Sequence, residues 1–265
     1  MDYPVSSVAD EFLEISSEQR LGILLRLNSG ESKPAILAKE IGATISEIFR
    51  NMERLVKAQM IIKEMDGFYH ITPYGKMICN QITSFSFLSG NKKYFGNHNF
   101  DDLPPKFVQR IGALSRGKHI RGFTKVMECW QEIIDNSEKY VCGIISEETP
   151  ELISKITKKA QAGIKINSVF MESSLVPKNR KNLVNSLGVR KLVQNGAIAR
   201  KMRKGLSVMV TLNEKQACVL FPIGAEVDLK ECFYGDDEAF VEWCLDYFRY
   251  IWFGSDVFEE KKLVS

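Results

Sequence analysis

The sequence predicts a two-domain protein of mixed α and β structure, with a mostly helical N-terminal domain and an α/β C-terminal domain. A chain of 265 residues, 45% of them apolar, is long enough to form two compact domains with separate cores. Helical patterns and one hairpin signal fill residues 1–85, whereas helix and strand patterns alternate over residues 106–265. Residues 86–105 are rich in Gly, Asn and Pro, so we expect a linker there.

Two helices are predicted near the N-terminus. The first spans about residues 17–28, because Ser16 and Gln19 have capping-box spacing and leucines then recur with helical period. The second spans about residues 32–41 and has Pro34 in its first turn, where a missing N–H costs nothing. Glycine follows each of them and is expected to end it.

A third helix is predicted to begin at Thr44, which forms a Thr-x-x-Glu capping box with Glu47. Its apolar residues share one face, which we expect to be buried: Ile48, Met52, Leu55 and Val56. Its polar residues lie largely on the opposite face: Ser46, Glu47, Arg50, Asn51 and Arg54.

A hairpin is predicted within residues 61–72. Asp66-Gly67 lies there between two strand-like runs, which is the strongest short-range hairpin signal. Thr72-Pro73 then opens a fourth helix that reaches about Ile82. Helix, helix, turn, helix and hairpin in this order predict a winged helix-turn-helix.

This arrangement predicts binding to double-stranded DNA, with the helix from Thr44 in the major groove and the Asp66-Gly67 wing on the backbone. Arg50 and Arg54 can form bidentate contacts with guanine or phosphate, and Asn51 can pair with adenine if it points outward. The candidate DNA-binding residues are Lys33, Thr44, Ser46, Glu47, Arg50, Asn51, Arg54, Lys63, Tyr69 and His70.

The distribution of charge leaves a second interpretation open. The net charge is −2 over residues 1–85, +12 over residues 86–205 and −7 over residues 206–265. Arg50 and Arg54 can therefore belong to an ordinary solvated face, and a winged helix can be a protein-interaction module without affinity for DNA. A weakly charged DNA-binding domain predicts modest non-specific affinity and dependence on a second protomer.

The C-terminal domain is predicted to contain strand–helix–strand units with partly parallel pairing, followed by a meander of strands. The predicted helices are near 107–111, 123–134, 149–163, 177–188 and 236–253, and the predicted strands are near 140–145, 164–171, 197–201, 206–212 and 216–222.

Two groups of basic residues in the C-terminal domain predict a regulatory role for this domain. Arginine recognises carboxylate and phosphate groups, so one group is a candidate site for an anionic effector. A solvated basic face and contact with DNA beside the main site are the alternatives. The candidate ligand-binding residues are Arg116, Lys118, His119, Arg121, Arg200, Lys201, Arg203 and Lys204.

The last predicted helix has a broad aromatic face that includes Phe240, Trp243, Tyr247 and Trp252. Packing into the core is the default expectation for such a face, and a dimer interface is the alternative. We expect a homodimer, because helix-turn-helix proteins usually bind two half-sites as symmetric dimers.

The sequence gives little support for catalysis, a cofactor or a metal. It lacks G-x-G-x-x-G, G-K-[ST], G-x-S-x-G and H-E-x-x-H, and the Ser-x-x-Lys spacings at Ser89 and Ser115 are common by chance. Six scattered cysteines without a C-x-x-C pair are expected to be reduced, buried thiols. With no apolar run of membrane-spanning length and no secretory signal, a cytoplasmic protein is expected.

Residues 36–61 resemble the core of the ArsR-like winged-helix group. Residues 94–114 and 227–252 resemble an archaeal family of regulators in which a winged helix precedes a domain of the "methanogenesis regulatory protein" type. The matching features are His98 with Leu103-Pro104, Gly112-Ala113-Leu114, and Trp243, Tyr247, Phe248 and Trp252. The resemblance implies transcriptional control of metabolic genes and no catalytic residue. Ala225 departs from the polar turn residue expected there.

Overall fold

The computed structural model describes residues 4–100, 103–206 and 208–264, without the side chain of Ser173. Parts of three expected features lie outside these ranges. They are residues 1–3 of the start, where no secretory signal was expected, residues 101 and 102 of the expected linker, and residue 207 of an expected strand. The chain divides into two compact units, Met1–Phe85 and Ser86–Ser265, each described separately below.

The N-terminal unit is a winged helix-turn-helix preceded by an additional helix. A two-stranded antiparallel sheet pairs Ile61 with Ile71 and Lys63 with Tyr69, and Ser32 adds a short bridge to Tyr69. Its elements are α1 (Val5–Ile15), α2 (Glu18–Asn28), α3 (Pro34–Ile41), α4 (Ile45–Lys57), β1 (Ile61–Lys63), β2 (Tyr69–Ile71) and α5 (Pro73–Gly90), the last of which continues into the second unit.

The core of this unit is formed by one face of each of α2, α3, α4 and α5, together with residues of the hairpin. Its fully buried members include Ile23, Leu37, Ile48, Met52 and Leu55. α5 approaches β1 closely at Gly75, where a Cβ atom would lie 2.2 Å from the carbonyl oxygen of Met60. Only glycine fits this contact, so Gly75 fixes how α5 leaves the sheet.

The C-terminal unit is an α/β domain, as the alternating patterns predict. Its elements are α6 (Pro105–Gln109), a 3-10 segment (Ile111–Arg116), β3 (Lys118–Arg121), α7 (Phe123–Asp135), β4 (Tyr140–Glu147), α8 (Pro150–Gln161), β5 (Lys165–Leu175), α9 (Arg180–Ser186), α10 (Val189–Gln194), β6 (Ile198–Arg203), β7 (Met209–Leu212), β8 (Ala217–Leu220), β9 (Glu231–Gly235), α11 (Glu238–Phe253), β10 (Asp256–Val257) and a second 3-10 segment (Glu260–Lys262).

The strands form one eight-stranded sheet in the order β10-β6-β5-β4-β7-β8-β9-β3. β4, β5 and β6 are parallel because α8 crosses from β4 to β5, and α9 and α10 cross from β5 to β6. The other pairings are antiparallel and include the meander β7-β8-β9.

Helices cover both faces of the parallel part of the sheet. Val141 packs with the residues of α8, α9 and α10, whereas its neighbour Cys142 packs with those of α11. This alternation is expected of strands with both faces buried. In α11, Trp243 is fully buried and its indole N–H donates to the carbonyl of Phe107 at 3.1 Å. The aromatic face of the last helix is therefore largely core.

Several expected boundaries are corrected by the structure. The expected linker is packed structure. The helix α5 extends into it as far as Gly90. In addition, the core of the second unit buries Phe87, Tyr94 and Leu103. The cap of α2 is Ser17 rather than Ser16, since the Ser17 hydroxyl accepts from the backbone of Arg20. The sequence patterns missed α1, β3, β9, α10 and the two-residue β10.

All six cysteines are buried free thiols, and burial raises the pKa of each of them. Within the described ranges, no three His, Cys, Asp or Glu side chains stand together in a way that could hold a metal ion. None of the helices described combines the length and apolar character needed to cross a bilayer.

Candidate nucleic-acid interface

The helix-turn-helix is built by local signals around Gly42 and Thr44. Gly42 adopts a left-handed conformation, with φ of 73°, which ends α3 and turns the chain toward α4. Thr44 and Glu47 form a reciprocal capping box, in which the Thr44 N–H donates to Glu47 Oε2 at 2.8 Å and the Glu47 N–H donates to Thr44 Oγ1 at 3.2 Å. The hydrogen bond from the Thr44 backbone lowers the pKa of the Glu47 carboxyl. Glu47 and Thr44 thus fix the start of α4.

The two faces of α4 differ in burial as the sequence predicts. Ile48, Met52 and Leu55 are fully buried and fix the rotation of α4 about its axis. Val56, which was expected on the buried face, is 39% exposed because it lies at the margin of the stripe. The exposed face consists of Ile45, Ser46, Phe49, Arg50, Glu53, Arg54, Val56 and Lys57.

Arg50 is the expected DNA-contacting residue that the structure leaves most available. It lies on the exposed face of α4, and among the described residues it has no hydrogen bond or ion pair. Ser46 is one turn earlier on the same face and is also exposed. Both side chains can therefore reach a ligand outside the unit without breaking an internal contact.

Asn51 does not point outward, so the condition for its pairing with adenine is not met. Its side-chain N–H donates to Gln19 Oε1 at 2.6 Å, and its Oδ1 accepts from Arg20 at 3.5 Å. Arg20 is itself buried and donates to the carbonyl oxygens of Leu13 and Glu14. Asn51 therefore belongs to a polar connection that joins α4 to α1 and α2.

Arg54 is engaged by an acid of α1. Its Nε lies 2.9 Å from Glu14 Oε2 and its Nη2 lies 2.6 Å from Glu14 Oε1, which is a bidentate pair. This hydrogen bond lowers the pKa of the Glu14 carboxyl and raises that of the Arg54 guanidinium. Arg54 would have to exchange Glu14 for phosphate in order to contact DNA.

The wing is formed by β1, β2 and a tight turn at Asp66-Gly67. The Phe68 N–H donates to the Asp66 carboxylate at 3.0 Å, and Gly67 has φ of 83°, which favours glycine. The turn residues from Glu64 to Asp66 are exposed, so the tip of the wing can approach a partner. The hairpin predicted from Asp66-Gly67 is confirmed.

The expected backbone contacts near the wing have different environments. Lys33 caps α3 and its Nζ lies 4.5 Å from the centre of the Phe68 ring, while the Lys63 Nζ lies 6.0 Å from that of Tyr69. Both lysines remain exposed, whereas Tyr69 is buried and serves the core. His70 is half-buried, with its Nε2 3.3 Å from Glu31.

Three further residues of α4 were missed by sequence interpretation. Ile45, Phe49 and Lys57 are exposed on the same face as Arg50, at spacings of five, one and seven residues from it. A helical projection that begins at Thr44 would have found them, because residues 45, 49, 53 and 57 follow one line along a helix. The sequence interpretation selected polar side chains and so omitted the apolar ones.

The basic group at Arg116–Arg121 is largely neutralised by acids of its own unit. Arg116 pairs with Asp237 at 2.8 Å, and Glu231 lies 2.7 Å from His119 Nε2 and 3.5 Å from Arg121 Nε. Burial lowers the pKa of the His119 imidazole despite its hydrogen bond to Glu231. Lys118 is exposed and has no ion pair in the part of the chain described. Most of the basic side chains in this group are therefore engaged by acids and do not converge on a site for an anion.

The basic group at Arg200–Lys204 does not converge, because alternate residues of β6 face opposite sides of the sheet. Lys201 donates to the carbonyl of Trp252 at 2.8 Å, and Arg203 donates to that of Gly254 at 3.3 Å. Lys204 is exposed beyond the strand. Arg200 lies on the other side with Arg180, a residue that the sequence interpretation missed because its partners are distant in the chain.

No family model matches the chain, and no curated protein sequence matches it. Among solved structures, TrmBL2, described as an archaeal chromatin protein with a novel mode of DNA binding, aligns over 94% of this chain and 99% of its own at 11% identity and a TM-score of 0.41. Nuc from Salmonella typhimurium, a phospholipase D family member, aligns over 54% of this chain and 98% of its own at 13% identity and a TM-score of 0.40. LaPhzM aligns over 77% and 67%, respectively, at 14% identity and a TM-score of 0.26. At these values the likenesses assign no function to this chain.

Proposed function

We propose that this protein is a sequence-specific, DNA-binding transcription regulator that places α4 in the major groove and the Asp66-Gly67 wing on the DNA backbone. The observation that supports this most is the exposed guanidinium of Arg50, which has no ion pair within the described part of the chain and lies on a helix whose opposite face is fixed in the core. An arginine held in this way can form a bidentate contact with guanine. Ser46 can reach a neighbouring base edge, and Lys33, Lys57 and Lys63 can contact phosphates.

The proposal includes a homodimer, because one unit with a local net charge of −2 and one recognition helix provides few phosphate contacts. Two copies would double these contacts and read two half-sites. It also includes a regulatory role for the C-terminal unit, in which an anionic effector changes the affinity for DNA. It assigns no catalytic step to this chain.

The test is a titration of DNA from the upstream region of its own gene, followed by fluorescence anisotropy at several salt concentrations. Arg50→Ala should weaken binding by about tenfold or more, because a bidentate base contact contributes about 1–3 kcal/mol. Arg26→Ala is the matched control, since it removes the same charge from α2 but from a guanidinium that lies 2.8 Å from Glu40. Equal effects of the two substitutions would contradict the proposed role of Arg50.

A second candidate is a winged-helix module that binds a protein and not DNA. The specific observation in its favour is that Ile45 and Phe49, exposed by 52% and 43%, flank Arg50 on α4. Apolar side chains in such a position suit a protein partner, although they can also contact thymine methyl groups. Absence of any salt-sensitive binding to DNA, with no difference between Arg50→Ala and the unmodified protein, would favour this module.

A further inference from the structure

Arg180, which is buried, and Arg200, whose side chain is 15% exposed, lie near the carboxyl end of β4 in the C-terminal unit. Arg200 belongs to β6 and Arg180 opens α9, and they face Phe170 of β5 and Glu148, which directly follows β4. Open α/β sheets bind their ligands at this edge, outside the carboxyl ends of the strands. The position in the fold is therefore one where ligand sites occur.

The hydrogen-bond donors of this cluster are incompletely satisfied, although its two arginines face two carboxylates. Arg180 is almost fully buried and donates through Nε to Glu148, whose side chain is 11% exposed. The Nε and Nη1 atoms of Arg200 are buried and have no hydrogen-bond partner among the residues described, and the carboxylate of Glu260 lies 3.8 Å from Nη1. Burial and the nearby Arg180 lower the pKa of the Arg200 guanidinium. Unused buried donors of this kind are costly, so they call for an explanation.

Glu260 occupies the place between the two guanidiniums. One of its carboxylate oxygens accepts from Nη1 of Arg180, and the other faces Arg200. Glu260 belongs to the C-terminal segment, defined here as residues 256–264, and its side chain is half exposed. Paired guanidiniums around one carboxylate are the arrangement that proteins use to bind phosphate or carboxylate ligands.

The C-terminal segment covers the cluster and is held by largely polar contacts, which include the pair between Lys262 and Glu172 at 2.8 Å. β10 pairs with β6 through Asp256 and Val257, and the backbone of Val264 bonds to Ser174 and Val176. The Phe258 ring lies over Arg200, with 4.3 Å between the guanidinium carbon and the ring centre. Phe258 and Leu263 are only partly buried. Because these contacts are largely polar and the apolar side chains only partly buried, we expect the segment to open more readily than the core of the unit.

The enclosed space is too small for a metabolite while the segment is in place. The cavity beside Arg180 and Arg200 has a volume of about 30 Å³, which suits a water molecule rather than a ligand. Departure of the segment would remove Glu260 and the Phe258 ring together. It would expose two guanidiniums opposed by the single carboxylate of Glu148.

We propose that Arg180 and Arg200 form a binding site for a small oxyanion ligand, a phosphate or carboxylate compound, and that the C-terminal segment closes this site with Glu260 in the place of the ligand. The ligand and Glu260 compete for the same guanidiniums, so ligand binding releases the segment. Only the consequence for transcription rests on the proposed function. Binding and release are measured on the protein without DNA, so their failure is distinct from a failure to bind DNA.

The experiment uses the full-length protein and isothermal titration with inorganic phosphate and, separately, with succinate. Glu260→Ala should bind at least one of these probes about tenfold more tightly than the unmodified protein, because the competing carboxylate is gone. Preference for phosphate or for succinate distinguishes the two ligand classes. Glu259→Ala is the matched control, since Glu259 pairs with Lys261 and Lys262 and not with the arginines. It should bind as the unmodified protein does.

Hydrogen exchange provides a second readout of the same site. The bound probe should accelerate exchange of the Val264 and Val176 amides in the unmodified protein, because these amides are protected by the closed segment. Arg200→Gln combined with Glu260→Ala should abolish binding, while thermal melting confirms that the variants are folded. Equal binding by the Glu260→Ala and Glu259→Ala variants, or binding that survives loss of Arg200, would overturn the proposal and leave a structural ion cluster.

Discussion

The two units place pairs of arginines in opposite situations. On α4, Arg50 is exposed and unpaired among the described residues, whereas Arg54 one turn later is held by Glu14. In the C-terminal unit, Arg180 is buried and Arg200 is mostly buried, and they share the carboxylate of Glu260. The contrast shows that the partner of an arginine, rather than its spacing in the sequence, decides what it can bind.

The same contrast explains why the net charge of a segment is a poor guide to its binding surface. Residues 86–205 have a net charge of +12, yet Arg116, Arg121 and Arg180 of this segment are matched by acids from later in the chain. Residues 1–85 have a net charge of −2 and nevertheless leave Arg50 available. Pairing in three dimensions redistributes the charge that a partner meets.

The largest expected effect is a loss of folding stability, which should be much greater for a buried ion pair than for an exposed one. Arg180→Ala should lower the free energy of unfolding of the C-terminal unit by about 3–5 kcal/mol, because Glu148 would remain mostly buried without its partner. Arg116→Ala, which removes a highly exposed partner of Asp237, should cost less than about 1 kcal/mol. Denaturation followed by tryptophan fluorescence is suitable, since all three tryptophans lie in this unit. Similar losses in both variants would remove the distinction.

A smaller effect is expected at Asn51, which the structure assigns to stability rather than to DNA contact. Asn51→Ala should lower the free energy of unfolding of the N-terminal unit by about 1 kcal/mol, because its hydrogen bonds to Gln19 and Arg20 are lost. Circular dichroism during denaturation measures this loss. Ser46→Ala should leave stability unchanged, since Ser46 is exposed. A loss of DNA affinity in the Asn51 variant without a loss of stability would reverse the assignment.

Removal of the ion pair with Glu14 should free the Arg54 guanidinium to contact DNA, as we propose for Arg50. Glu14→Gln removes the carboxylate that holds Arg54, so binding to DNA should strengthen a few-fold and its logarithmic dependence on salt should steepen by about 0.9, the value of one added phosphate contact. Glu18→Gln is the control, because it removes the same charge from an exposed residue of α2. If both variants strengthen binding equally, the gain is a general effect of charge.

The smallest expected effect is the pH dependence of the Glu14–Arg54 pair. The hydrogen bond from Arg54 lowers the pKa of Glu14 in the folded state below its unfolded value. The pair therefore stabilises the fold above the unfolded pKa, and this small, solvent-screened contribution disappears as the pH falls through the folded pKa. Denaturation of the unmodified protein and the Glu14→Gln variant from neutral to acidic pH should show their difference vanish in acid. A constant difference would contradict the prediction.

Local signals in the sequence predicted the winged helix-turn-helix well. The Thr44–Glu47 capping box and the Asp66-Gly67 turn act within a few residues, so their geometry depends little on the rest of the chain. The helix α1 was missed although Val5, Val8, Phe12 and Ile15 recur at helical spacing, because no side-chain cap marks its start. The short edge strand β3 was missed because its exposed ends interrupt any apolar run.

The candidate sites could be predicted only in part, because they depend on distant partners. Glu14 and Arg54 are 40 residues apart, and Arg180 and Glu260 are 80 residues apart. Such pairings follow from the packing of whole helices and strands, which a single sequence does not reveal. The polar face of α4 was predictable from helical spacing, whereas the inward orientation of Asn51 depends on the position of α2.

The burial of all six thiols offers a practical route to observe this protein at work. Maleimide dyes react with accessible thiolates, so the folded native chain would take up little label. A single cysteine introduced at exposed Lys57 would then be the main reactive position. A fluorophore attached there would report, without background from the remaining cysteines, whether α4 meets a partner.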